Sequence, residues 1–245
     1  MSDPPLSVSS VTVGYGDLTV LDGVSLAVPA GAVTALVGPN GSGKTTLLRV
    51  AAGLASPDAG DVDRRVAGHR AVGYLPQAPT FRPGFTARET VAFHADLLPA
   101  DADADPDAAL ARVGLADVAD RSTGALSGGM VRLLGLAVAT VGDPPVYVLD
   151  EPTSGLDPEV TRHVFAAVTD LAAAGAAVLV ASHDLAAVDR HADRVGLVHR
   201  HALRTGTPAT LREETGADSL DDAFASLVGA GDGPAVGVDA GGDHG

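Results

Sequence analysis

The stretch Gly38-Pro39-Asn40-Gly41-Ser42-Gly43-Lys44-Thr45 constrains this chain more than any other. It fits G-x-x-x-x-G-K-[ST] in full, follows the buried-strand pattern Val33-Thr34-Ala35-Leu36-Val37, and opens an apolar helical pattern from Lys44 to about Leu54. Glycines let the backbone curl so that successive N–H groups converge on one point, and the helix behind presents its positive end there. That geometry suits phosphate. Lys44 is placed to bridge outer phosphates, and the Thr45 hydroxyl to ligate magnesium. Of the 16 basic residues only Lys44 is a lysine, which suggests that a compact ammonium fits where a planar guanidinium would not. With Thr46 added, the predicted binding set is Gly38, Pro39, Asn40, Gly41, Ser42, Gly43, Lys44, Thr45 and Thr46.

A second element, Val146-Tyr147-Val148-Leu149-Asp150-Glu151, is an apolar strand ending in two carboxylates. Asp150 is predicted to hold magnesium, directly or through water. Glu151, one residue on, is predicted to polarise an attacking water.

Strands are expected at 6–28, as antiparallel segments around turns at 14–17 and Asp22-Gly23, and again at 33–37, 71–75, 146–149, 177–181 and 195–198. Between Phe81 and Val141 helical signals take over. Thr86-Ala87-Arg88-Glu89 fits a capping box, and Asp105-Pro106 puts a capping aspartate before a proline at the first helical position. Asp157-Pro158 opens a helix that Gly175 stops. The fold class is therefore α/β: a mostly parallel sheet wrapped by helices, an antiparallel β subdomain, and an inserted helical subdomain. Expected boundaries are a nucleotide-binding core at 1–80 and 142–228, a helical lobe at 81–141, and a disordered glycine- and aspartate-rich tail at 229–245.

Leu126-Ser127-Gly128-Gly129-Met130 resembles the signature of the ATP-binding-cassette family, with Met130 where the family usually has glutamine. Around it stand, in family order, Tyr15, the phosphate loop, Gln77, Asp150-Glu151, Ser154-Gly155-Leu156-Asp157 and His183. The resemblance spans about 6–228. It implies that ATP with Mg2+ is bound and hydrolysed, with Tyr15 stacking on adenine, Gln77 reaching the magnesium and the lytic water, and His183 hydrogen-bonding the γ-phosphate. It implies further that Ser127, Gly128 and Gly129, at the start of a helix toward Thr140, grip the γ-phosphate of another protomer. Two copies, or this chain and a paralogue, would form a head-to-tail dimer, with Asp157 coupling the two sites. The partner energised is a transmembrane permease subunit, expected to meet the chain near Phe81, Arg82 and Phe85, at the cytoplasmic face of the membrane. The short helical insert, the Ser-Gly-Gly-Met signature and the ending at Leu220 to Val228 resemble export-type subunits, including those that accompany copper-enzyme maturation. An importer ATPase for a metal ion or nutrient, and a soluble cassette ATPase, are the alternatives.

Composition bears on partners and surroundings. No cysteine is present, which excludes disulfides and thiolate chemistry and suits a reducing cytoplasm. The opening Met-Ser-Asp-Pro-Pro leads us to expect no signal peptide, and no apolar run reaches the ~20 residues of a membrane span. The seven histidines other than His183 are expected to be solvated. A net charge of −15 would repel nucleic acid. Aspartates far outnumber glutamates, and such short hydrated carboxylates with so little lysine point to adaptation to high salt; an arginine-rich, GC-biased genome is the competing account. A melting series from low to molar potassium chloride decides between them. The midpoint should rise with salt, and a flat series removes the high-salt reading.

Overall fold

The computed structural model describes residues 3–65, 70–99, 102 and 104–229. The tail expected to be disordered lies outside them except for Gly229, which closes the last helix. Among these residues the strands are β1 (Leu6–Tyr15), β2 (Leu18–Val28), β3 (Ala32–Val37), β4 (Ala59–Arg64), β5 (Val72–Leu75), β6 (Val146–Asp150), β7 (Ala177–Ala181), β8 (Arg194–His199) and β9 (Ala202–Gly206). The helices are α1 (Lys44–Ala51), α2 (Ala87–Ala95), α3 (Pro106–Arg112), α4 (Gly128–Thr140), α5 (Pro158–Ala173), α6 (Leu185–His191), α7 (Pro208–Thr215) and α8 (Leu220–Gly229).

Two sheets form, one of order β2-β1-β4 and entirely antiparallel, the other of order β5-β6-β7-β3-β8-β9 and parallel except for β9. β6 and β7 are buried at every residue, which is why they read as unbroken apolar runs. Their side chains still alternate between two cores. Tyr147, Leu149, Val178 and Val180 join α4 and α5 on one face, while Val146, Val148, Leu179 and Leu36 join α1 and the antiparallel sheet on the other. α1 is thus packed between two sheets, with Leu47 and Leu48 fully buried.

The stretch between β5 and β6 carries α2, α3 and α4. Local chemistry starts each of them: Thr86 and Glu89 exchange the two hydrogen bonds of a capping box, Asp105 caps α3, and the Ser127 hydroxyl caps α4. The far end of α4 is clasped by Arg70, which donates to the Val138 and Val141 carbonyls at 2.8 and 3.1 Å. Gly73 lets β5 approach that helix closely: a Cβ there would lie 2.2 Å from the Ala139 oxygen.

Several expectations are corrected. Asp22-Gly23 is no turn; it lies inside β2, at a register shift where Gly23 takes φ 61°. The strands β4 and β9 and the helices α6 and α7 had no expected counterpart. Four of the histidines expected to be solvated are engaged: His163 Nε2 bonds the Val113 carbonyl at 3.0 Å, His201 Nδ1 lies 3.3 Å from the Val20 carbonyl oxygen, His191 stacks on Phe165 with centroids 5.2 Å apart, and His94 meets Phe93 edge to face at 5.6 Å. Among the described residues no helix is long and apolar enough to cross a membrane.

Candidate nucleotide-binding site

β3, β5, β6 and β7 run parallel, so their C-terminal ends share one edge of the sheet. The glycine-rich loop follows β3, Gln77 follows β5, Glu151 follows β6 and His183 follows β7. The topology alone therefore gathers residues that lie far apart in sequence. Gly41 and Gly43 take φ 78° and 101°, a left-handed backbone that suits glycine. Gly43 puts no side chain over the start of α1, so the first-turn N–H groups of that helix keep their donor capacity. Gly38 is needed for space: a Cβ would lie 2.3 Å from the Val198 carbonyl oxygen.

Lys44 is 7% exposed, and its Nζ donates to the Gly38 and Pro39 carbonyls at 2.8 and 3.0 Å. Burial pushes its pKa down, against the pull of the Glu151 and then the Asp150 carboxylates. Across the sheet edge the Thr45 hydroxyl donates to Asp150 Oδ1 at 3.3 Å. Asp150 is 1% exposed, and burial raises its pKa despite the Thr45 hydrogen bond. Glu151 adopts φ 49°, a strained conformation for a side-chain-bearing residue, and its N–H donates to the Ala181 carbonyl at 3.1 Å. Its Oε2 lies 2.6 Å from His183 Nδ1. A carboxylate only accepts, so the imidazole carries its proton on Nδ1 in that contact and leaves Nε2 for another partner.

A cleft of about 390 Å³ opens over the loop, walled by Val20, Asn40, Lys44, Thr46, Gln77 and Glu151 among others. The oxygens of Thr45 and Asp150 are hard donors, and among the described residues no cluster of three or more His, Cys, Asp or Glu forms a cage. A sparse oxygen site of this kind fits Mg2+, which keeps waters and takes phosphate oxygens.

The remaining predicted residues lie elsewhere. Tyr15 ends β1, 58% exposed, and is not among the residues walling the cleft. Ser127, Gly128 and Gly129 form the tip of α4; the Ser127 Oγ accepts from the Met130 N–H at 3.2 Å, and a Cβ at Gly128 would meet nothing within 4 Å. None of the three walls the cleft. Asp157 caps α5, accepting from the Glu159 and Val160 amides at 2.9 and 3.0 Å. Phe81 packs partly into the core, whereas Arg82 stands over the Phe85 ring at 5.0 Å and Phe85 meets Phe93 edge to face. Phe93 and Leu97 are exposed at 54% and 67%; their i,i+4 spacing was the signal that could have added them to that patch. Arg132, on α4, was also missed, and no local pattern marks it.

Comparison with known proteins bears on the family and the fold. A family profile described as ABC transporter matches residues 21–154. The chain is 36% identical over 238 residues to Nod factor export ATP-binding protein I of Burkholderia orbicola (strain AU 1054), covering 90% of this chain and 77% of that one. It is equally 36% identical over 235 residues to daunorubicin resistance ATP-binding protein DrrA3 of Streptomyces coeruleorubidus, covering 90% and 74%. Among solved structures, an ATP binding subunit of an ABC transporter superposes with a TM-score of 0.79 at 26% identity, over 91% of this chain and 98% of that one. A dimeric ATP-binding cassette in a post-hydrolysis state with ADP and Pi shares the fold, with a TM-score of 0.74 at 22% identity over 82% and 98%.

Gly38→Ala tests the loop. Its Cβ meets backbone and cannot be accommodated by a side-chain turn, so the loop must shift. Titration with a fluorescent trinitrophenyl nucleotide should show binding weakened by about tenfold or more, equivalent to ~1.4 kcal/mol. Wild-type affinity would show that the tight approach to Val198 does not matter for binding.

Proposed function

The chain belongs to the ATP-binding-cassette family of transporter ATPases, and on that premise we propose how its residues divide the work and with what partners. It is the ATP-binding and ATP-hydrolysing subunit of an exporter-type transporter; relatives named for Nod factor export and daunorubicin resistance favour export over import or a soluble role. The observation that carries the finer reading is spatial. Lys44, Asp150, Glu151 and His183 gather at one sheet edge, while Ser127 and Gly128 at the tip of α4 are exposed and, like Gly129, are not among the residues walling that cleft.

On this reading the curled loop, Gly38 to Thr46, wraps the phosphates, and Lys44 releases its two carbonyl acceptors to bridge the outer ones. Tyr15 stacks on the adenine from the rim. Thr45 and Asp150, with Gln77 at the cleft wall, would hold Mg2+, which when bound would offset phosphate charge. Glu151 orients the lytic water and accepts from it, and His183 fixes the carboxylate through Nδ1 while Nε2 faces the γ-phosphate. The Ser127 hydroxyl and the Gly128 and Gly129 amides of a second copy complete the grip, and Asp157 links the two sites. Each chain thus holds two half-sites.

The core at 1–80 and 142–228 does the chemistry, and the lobe at 81–141 carries the tip to the other protomer. Arg82, Phe85, Phe93 and Leu97 supply an apolar and cationic face for the permease subunit, which keeps the chain at the cytoplasmic side of the membrane. The aspartate-rich surface suits a high-salt cytoplasm.

Glu151→Gln should bind ATP yet stop before hydrolysis, and light scattering with ATP and magnesium should show a dimer. A monomer under those conditions refutes the shared grip. The cysteine-free chain allows a clean second test. Phe93→Cys should cross-link to the co-purified permease in native membranes, and labelling at this position without any cross-link removes the docking face.

A further inference from the structure

Arg132 lies on α4 five positions beyond the Ser127 cap, on a part-buried face of the helix. Its Nη2 donates to the Ser154 carbonyl at 3.3 Å. Ser154 in turn closes a turn back onto the catalytic carboxylate residue, its N–H donating to the Glu151 carbonyl at 3.2 Å. Two hydrogen bonds therefore connect the signature helix to Glu151 of the same chain. A second attachment reinforces the first: the Gly129 backbone packs on Leu156 and Val160, where a Cβ would stand 3.5 to 3.7 Å from their methyl groups. α4 thus bears on the segment after β6 at two places, one near its tip and one a turn further on.

Two features mark the contact as more than packing. Glu151 sits at φ 49°, a conformation its surroundings must hold in place, and Arg132 holds the turn in which it lies. The other guanidinium nitrogen, Nη1, is buried with no hydrogen-bond partner among the described residues. Buried donors are normally paired, and a half-used fork is suited to re-pairing when the turn moves. The guanidinium also senses the site electrically: burial lowers its pKa, and Glu151 and then Asp150 draw it back up.

We propose that Arg132 is a positioning residue that transmits occupancy of the α4 tip to Glu151 of its own chain. The inference rests on the shared-grip reading. In such a dimer the tip of one protomer holds the phosphate bound by the other, so Arg132 would link one nucleotide to the hydrolytic carboxylate serving the second. The two sites would then fire cooperatively. A tip that meets no phosphate would leave the turn, and Glu151 with it, in its resting position.

The test uses the full chain with Arg132→Met, which keeps much of the side chain's length, and Arg132→Lys, which keeps its charge but not its fork. ATP hydrolysis is followed against ATP concentration, and dimerisation with ATP in the Glu151→Gln background. Wild type should show a Hill coefficient near 2, the ceiling set by two sites. Arg132→Met should lower kcat by about tenfold and bring the Hill coefficient to about 1, a coupling within the usual range, while trinitrophenyl-ATP affinity stays within about twofold. Arg132→Lys should restore some kcat but not the cooperativity, since a merely structural or charge-balancing role would be rescued in both. A Glu151→Gln, Arg132→Met double variant should still dimerise with ATP. The inference is overturned if either variant keeps a wild-type Hill coefficient, if wild type itself shows a coefficient of 1, or if the double variant cannot dimerise where Glu151→Gln alone does. A monomeric Glu151→Gln protein instead brings down the shared grip beneath it.

Discussion

In a parallel sheet every strand delivers its C-terminal end to the same edge, and here that edge brings Thr45, after β3, within 3.3 Å of Asp150, at the end of β6, with β7 running between the two strands. The registers Leu36 with Ala181 and Asp150 with Ala181 bring both ends level with the end of β7. A slip of one residue in either pairing would exchange the two core faces of a strand, since side chains alternate with period 2. The apolar alternation inside β6 and β7 is therefore as much a condition of the site as the polar residues beyond it. Val146 and Val148 facing α1, with Tyr147 and Leu149 facing α4, set the direction in which Asp150 and Glu151 emerge.

That edge concentrates buried charge. Lys44, Asp150 and Glu151 are each less than a tenth exposed, and Arg132 is part-buried beside them. Removing ions from water is expensive unless they face opposite charges and hydrogen-bond donors. The shifts reflect that tension: burial depresses Lys44, which the Glu151 and Asp150 carboxylates pull back toward its charged form, and burial raises Asp150, which the Thr45 hydrogen bond, Lys44 and Arg132 pull down while the Glu151 carboxylate pushes it further up. A buried cluster feels an added polyanion and its counter-cation more strongly than an exposed one would, because the interior screens weakly.

Much of this was legible from the chain, and the reason is locality. The phosphate loop, the capping box at Thr86 and Glu89, and the caps Asp105 and Asp157 each act within three or four residues, so their patterns survive in one dimension. The buried strands announced themselves because both faces are covered. What escaped was set by distant partners. β4, Ala-Gly-Asp-Val-Asp-Arg, contains little that favours a strand and owes its shape to pairing with β1. β9 is an exposed edge strand, and α6 is only seven residues long. Arg132 escaped for the same reason: its acceptor lies 22 residues away, in the turn between β6 and α5. Gly23 misled because glycine after aspartate signals a hairpin turn, whereas here it accommodates a bulge.

The outward-facing tip of α4 has one more implication. Among the described residues the Ser127 hydroxyl is engaged by the Met130 N–H, and a Cβ at Gly128 would meet nothing within 4 Å. On the proposed shared grip the tip's counterpart lies on a second chain, and such an encounter is governed by effective concentration. A membrane partner that carries two such chains side by side would raise it to roughly millimolar, so that closure needs little intrinsic affinity. In that arrangement the two copies would part readily once the nucleotide changes, and the tether would keep both within reach for the next encounter.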